Sequence, residues 1–226
     1  MKRVFVIGAV VTAGALAVSS AVYGPELVAG YRFMDSLDRY YADYEANGGT
    51  WPQIQDSCAL CHGVNGQPRD AQYASLAGQS ATYIEAQLHA FAQGRRHSPQ
   101  MGPLAANLSD EQIKSLADYF ARQKPETTEA RESDKALEQR GQATVAAKGC
   151  VACHGEGLSG GPLAPRIAGQ GELYLLDQLN AFKQGRRQDP TRAMNAMAGA
   201  LSDEEIKATA RYLANLTPTP APVARQ

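Results

Sequence analysis

Cysteine is scarce in this 226-residue chain, and all four copies, Cys58, Cys61, Cys150 and Cys153, fall inside the stretches "CALCHG" and "CVACHG". None is left to close a loop elsewhere, which excludes a disulfide-scaffolded fold. Positive charge is not in excess either. The formal net charge is −1, so the phosphate-neutralising surplus of a nucleic-acid binder is missing and a nucleic-acid partner is excluded. Alternating Val/Ile/Thr runs bounded by turns are lacking, which argues against a sheet. With 44% hydrophobic and 20% charged residues, the composition is that of a globular chain with room for two modest domains.

What is present is a repeat. "LAGQSATYIEAQLHAFAQGRR" in the first half matches "IAGQGELYLLDQLNAFKQGRR" in the second, and "AANLSDEQIKSLADYF" matches "AGALSDEEIKATARYL". A tandem duplication gives each copy one compact domain. Ile84, Leu88 and Phe91 recur at helical spacing, as do Leu175, Leu179 and Phe182, and each stretch stops at a glycine, Gly94 or Gly185. Ser109 with Gln112 and Ser202 with Glu205 form capping boxes, while Leu108 with Ile113 and Leu201 with Ile206 have staple spacing. The segment "RQKPETTEARESDK" reads as a solvated linker, with Ser133 placed to cap the helix that follows. The expected fold class is all-α.

On a helix, positions i, i+3 and i+4 share one face, so each CxxCH segment presents two thiols and an imidazole to one flat partner. Haem meets that description: Cys58 and Cys61, and Cys150 and Cys153, are spaced to form thioethers to its vinyl groups, with His62 and His154 placed to ligate the iron. Two rival readings fit worse. A thioredoxin-like redox pair needs a βαβ context, and a zinc site built from both CxxC pairs would have to bridge the halves. The sixth iron position is assigned through the repeat. Met101 and Met194 stand at the same place relative to the Leu-Ser-Asp of each copy, and a thioether suits axial ligation. Met197 matches Leu104 and reads as packing, while His89 and His97 match Asn180 and Gln188 and suit surface or helix-end roles. The pairs Arg95–Arg96 and Arg186–Arg187 are expected to compensate charge at a helix C-terminus, with propionate neutralisation or partner steering as the alternative.

The N-terminus begins with Lys2 and Arg3 and then carries no charge until Glu26, the outline of a segment that engages the export machinery. The apolar run from Val4 to Tyr23 is about 30 Å long as a helix and suffices to span a bilayer. The expectation is a tether to the inner membrane through this uncleaved helix. The alternative is signal cleavage near Ser19 and Ala21 and a soluble periplasmic protein. The organisation expected is a signal peptide or anchor over 1–24, a helical juxtamembrane segment over 25–48, a first domain over 49–124, a linker over 125–134, a second domain over 135–217 and a Pro-rich tail over 218–226.

With its two CxxCHG motifs, "LAGQ" and "IAGQ", the Met-to-LSD spacing and the closing "LADYF" and "ARYL" helices, the chain resembles the bacterial dihaem cytochrome c4 family from Cys58 to Leu216. The resemblance implies two tandem class I cytochrome c domains joined by a linker, each around one covalent haem c held by histidine and methionine. It also implies a periplasmic carrier of single electrons, a non-enzyme whose partners are redox donors and acceptors such as a quinol-oxidising complex, a dehydrogenase or a terminal oxidase. The alternatives are a haem subunit of a larger respiratory complex and, with an open iron position, a haem enzyme. Family members often carry a proline whose carbonyl accepts a hydrogen bond from the ligand imidazole. Pro165 matches it, whereas the first copy has Ala74, which keeps the carbonyl and loses the fixed φ.

Overall fold

The computed structural model describes residues 19, 21–39, 42, 53–127, 134–161 and 164–222. The chain divides into two units, Met1–Gln53 and Ile54–Gln226. In the first, a helix α1 runs over 21–39. Within it Arg39 pairs with Asp35 one turn earlier, and Tyr23, Leu27, Tyr31 and Phe33 are exposed. Among the described residues no helix is long and apolar enough to cross a membrane. Most of the apolar run expected to do so lies outside the described residues.

The second unit holds both repeats, and every regular element described in it is helical. The first repeat contributes a 3₁₀ turn Ile54–Cys58, α2 (Ala59–His62), α3 (Ala81–Ala92), α4 (Met101–Ala106) and α5 (Asp110–Arg122). The second contributes α6 (Lys135–Ala147), α7 (Val151–His154), α8 (Glu172–Lys183), α9 (Ala193–Gly199) and α10 (Asp203–Asn215). Both capping boxes form as expected, with Ser109 Oγ accepting from Gln112 N–H and Ser202 Oγ from Glu205 N–H. The helix after the linker is capped one residue later than expected. Asp134, adjacent to Ser133, accepts from Leu137 N–H at 3.0 Å, a carboxylate serving the orphan amides as well as a hydroxyl would.

Each repeat packs its helices around a small apolar cluster. In the first, Ile84 and Leu88 of α3 meet Ile113, Leu116 and Phe120 of α5. In the second, Val145 of α6, Leu175 of α8 and Leu213 of α10 form the equivalent cluster. The α6–α10 crossing is close because residue 141 is glycine: a Cβ there would stand 2.1 Å from the Ala208 carbonyl oxygen. A core this thin is what a repeat of this size can assemble from side chains alone.

Candidate functional site

The helical backbone of each CxxCH motif starts at its first cysteine. Cys58 (φ −79°, ψ −24°) and Cys150 (φ −56°, ψ −33°) are already in the right-handed region, and His154 N–H bonds the Cys150 carbonyl at 3.0 Å. Both cysteines and the histidine of each motif therefore follow one helical turn. None of the four cysteines is paired in a disulfide. The glycine after each histidine ends the turn at positive φ, 73° at Gly63 and 76° at Gly155, and a Cβ at Gly63 would collide with the Gln67 carbonyl at 1.7 Å. This is why each motif extends to CxxCHG.

The imidazoles are oriented by backbone. His62 Nδ1 lies 2.8 Å from the Ala74 carbonyl oxygen and His154 Nδ1 lies 2.8 Å from that of Pro165. A carbonyl can only accept, so Nδ1 carries the proton in each ring and Nε2 keeps the lone pair that a metal needs. Burial pushes both histidines below their ordinary value; the carbonyl bonds oppose this, and at His62 the Arg96 charge adds to it. Both are thus held as neutral imidazoles, the ligating form. Burial also pushes the Cys58 and Cys150 thiols up. Beside His62 the first copy has the Tyr73 ring, centroids 6.2 Å apart; Ala164 holds that position in the second.

Met101 opens α4 and Met194 is the second residue of α9. Met101 packs against the same apolar cluster as Cys58. Ser98 Oγ accepts from Met101 N–H at 3.1 Å, and Asp189 does so from Met194 N–H at 2.8 Å, so a side chain in the preceding loop fixes the start of each helix. Leu104 and Met197, one turn further on, are 60% and 38% exposed, so Met197 does not take the packing role read for it from the sequence. Imidazoles whose Nδ1 is engaged by a carbonyl, two cysteines on the same turn, a methionine at a helix start and a thin core together fit a covalent haem in each repeat. His89 approaches Asp110 at 3.9 Å, the helix-end setting expected of it.

The arginine pairs divide their work in a way the sequence reading missed. The first of each pair stays local, Arg95 on Gln93 and Arg186 on Gln184. The second crosses to the other repeat: Arg96 donates to Tyr174 Oη at 3.2 Å and Gln178 Oε1 at 2.8 Å, and Arg187 to Tyr83 Oη and Gln87 Oε1 at 2.9 Å each. Each guanidinium also stacks on its own helix's phenylalanine, 4.5 Å from the Phe91 or Phe182 centroid. A second seam lies beside the histidines. Gln79 Oε1 accepts from Arg166 N–H at 2.9 Å, and its amide donates to the Arg166 carbonyl at 3.0 Å. Gln170 does the same with Ser75, both bonds at 2.8 Å. Arg166 is buried, donates to the Ala77 carbonyl at 2.9 Å and has an Nε without a partner; burial pushes its pKa down to about 10. One signal could have exposed these seams. Tyr83/Tyr174, Gln87/Gln178, Gln79/Gln170 and Arg96/Arg187 are the same in both copies although none is a candidate ligand.

Comparison with known proteins groups the chain with c-type cytochromes. Residues 138–217 match the cytochrome c family, and residues 51–120 match the family described as cytochrome c oxidase, cbb3-type, subunit III. The chain is 38% identical over 181 residues to the thiosulfate dehydrogenase electron acceptor of Stutzerimonas stutzeri, covering 75% of this chain and 82% of that one. It is 37% identical over 169 residues to cytochrome c4 of Thiocapsa roseopersicina, covering 71% and 87%. The solved structure of Acidithiobacillus ferrooxidans cytochrome c4 superposes with a TM-score of 0.64 at 33% identity, covering 71% of this chain and 99% of that one.

Proposed function

The chain belongs to the dihaem cytochrome c4 family, and from that premise we propose that it relays single electrons between respiratory redox proteins through two six-coordinate haem c groups. The family places it among periplasmic electron-transfer cytochromes carrying two covalent haems. In this reading Cys58 and Cys61 hold the first haem by thioethers and Cys150 and Cys153 the second, while His62 with Met101 and His154 with Met194 ligate the irons. The observation that carries it is the arrangement found twice: a CxxCH turn whose histidine Nδ1 is tied to a carbonyl at 2.8 Å, followed by a methionine fixed at a helix start.

Bound haem supplies a one-electron ferric/ferrous couple, and methionine opposite histidine raises its potential. The chain's own residues do the rest. Ala74 and Pro165 hold the imidazoles in one tautomer and one orientation, so no proton has to move when the charge changes. Ser98 and Asp189 hold the methionine-bearing turns in place, where Met101 and Met194 would serve as haem ligands and deny the iron to substrates. The reduced protein at neutral pH should therefore not bind carbon monoxide rapidly, as followed by stopped-flow absorbance. Fast binding of one equivalent per haem would replace the carrier by an enzyme with an open iron.

The electron donor is proposed to be an exported dehydrogenase and the acceptor a terminal oxidase. A thiosulfate-oxidising donor is favoured by one observation, the 38% identity to a relative described as an electron acceptor of thiosulfate dehydrogenase. Thiosulfate with a thiosulfate dehydrogenase should reduce both haems within turnover times; no reduction would remove that donor and leave the carrier reading standing.

A further inference from the structure

The glutamine seam does more than join the repeats. The Arg166 N–H and the Pro165 carbonyl belong to one peptide group, and so do the Ser75 N–H and the Ala74 carbonyl. On one side of the Pro165–Arg166 peptide the carbonyl meets His154 Nδ1 at 2.8 Å; on the other its N–H meets Gln79 Oε1, from the first repeat, at 2.9 Å. The mirror arrangement links His62 Nδ1, the Ala74–Ser75 peptide and Gln170 Oε1, from the second repeat, at 2.8 Å for both bonds. Gln79, Gln170, Ser75 and Arg166 are all buried, so water does not compete for these peptides.

We propose that the two haem sites are tuned crosswise: Gln79 of the first repeat sets the basicity of His154, and Gln170 of the second sets that of His62. The inference rests on the His–Met haem reading above. An acceptor on a peptide N–H polarises the same peptide's carbonyl, and chains of hydrogen bonds strengthen one another in a low-dielectric interior, by ~10–30% per bond. A stronger Nδ1–H···O bond makes the imidazole a more basic ligand. A more basic ligand stabilises the ferric state and lowers the potential. Gln79 and Gln170 are positioning residues in this scheme, since neither touches a ligand side chain.

The arrangement is not quite symmetric. Where the first repeat has Ser75 the second has Arg166, whose buried side chain reaches back to the Ser75 carbonyl at 3.3 Å. That bond loads the carbonyl of the residue after Ala74 and leaves the two acceptor peptides themselves equivalent, so removal of either glutamine should have the same sign of effect.

The test is an NMR-monitored redox titration of the full haem-loaded protein, with each haem's signals assigned to its repeat through contacts with neighbouring residues. Gln79→Leu should raise the potential of the second-repeat haem and leave the first unchanged. The expected change is about threefold in the ferrous/ferric ratio at fixed potential, about 28 mV at roughly 59 mV per tenfold. Gln170→Leu should do the converse. In the ferrous state the His154 Nδ1 proton should move upfield in Gln79→Leu while that of His62 stays, a signature that mere loosening of the seam does not produce. Gln79→Glu, which keeps the shape and accepts more strongly, should lower the second haem's potential and serves if the leucine variant fails to fold. A shift confined to the substituted repeat's own haem, equal shifts at both, or no shift would overturn crosswise tuning. Failure of the haem reading itself would show beforehand, as an unsubstituted protein without two covalent haems and two histidine Nδ1 signals.

Discussion

The duplication supplies pairs of positions where one residue differs and its surroundings do not. Ala74 and Pro165 are one such pair, and both carbonyls stand 2.8 Å from their histidines. Proline is therefore not needed to make the bond; it restricts φ of the segment that carries it. Gln112 and Glu205 are another. Each closes a capping box, but only Glu205 titrates, and the Ser202 backbone N–H it accepts holds its carboxyl below the ordinary 4.5. A carboxyl depressed in the folded state contributes stability above its unfolded value and loses it as pH falls through the folded one. Acid should therefore fray the start of α10; the start of α5 has its own depressed carboxyl, Glu111, held down by its backbone N–H and by Ser109. Amide exchange at 203–206, corrected for intrinsic rates, should lose protection between pH 7 and pH 3, and Glu205→Gln should reduce that loss while leaving 110–113 as they are. An unchanged loss in Glu205→Gln would refute the assignment.

At the scale of elements, what was legible in the sequence was what its neighbours encode. The paired caps, the i, i+4, i+7 stripes of α3 and α8 and their glycine stops all depend on residues within a turn or two, and all form as read. The short helices α4 and α9 were legible only as places for a methionine, because six or seven residues carry too little periodicity to read. The α6–α10 crossing was illegible for a different reason. Gly141 resembles any mid-helix glycine, and its role depends on the Ala208 backbone 67 positions further along the chain. In an exposed helix Gly→Ala stabilises by about 1 kcal/mol. Here Gly141→Ala should instead destabilise by about 1–3 kcal/mol through overpacking, read as a lower denaturation midpoint at unchanged m-value. A raised midpoint would mean that the helices cross elsewhere.

For the molecule as a whole, local spacing in the sequence was enough to read two copies and to name candidate ligands, but not what joins the copies. The joining residues are Arg96, Arg187 and the glutamines, whose partners lie 78 to 104 positions away, beyond the reach of any helical or turn pattern. Their physical role follows from the contacts. Among the described residues each repeat offers a guanidinium with no carboxylate opposite it and receives tyrosine and glutamine oxygens from its twin, so the seam fits this chain to itself and stands beside the segments that hold both histidines. Two electron-transfer sites built in this way would share one hydrogen-bonded seam, which favours little rearrangement on reduction at either.

The central claim is that a methionine sulfur completes the coordination in each repeat. Proton NMR of the ferrous, diamagnetic protein tests it most directly, since a methionine methyl held over a porphyrin is displaced far upfield by the ring current. Two such methyl signals are predicted, one lost in Met101→Ala and the other in Met194→Ala. A single signal, or none, or survival of both signals in either variant would contradict the account.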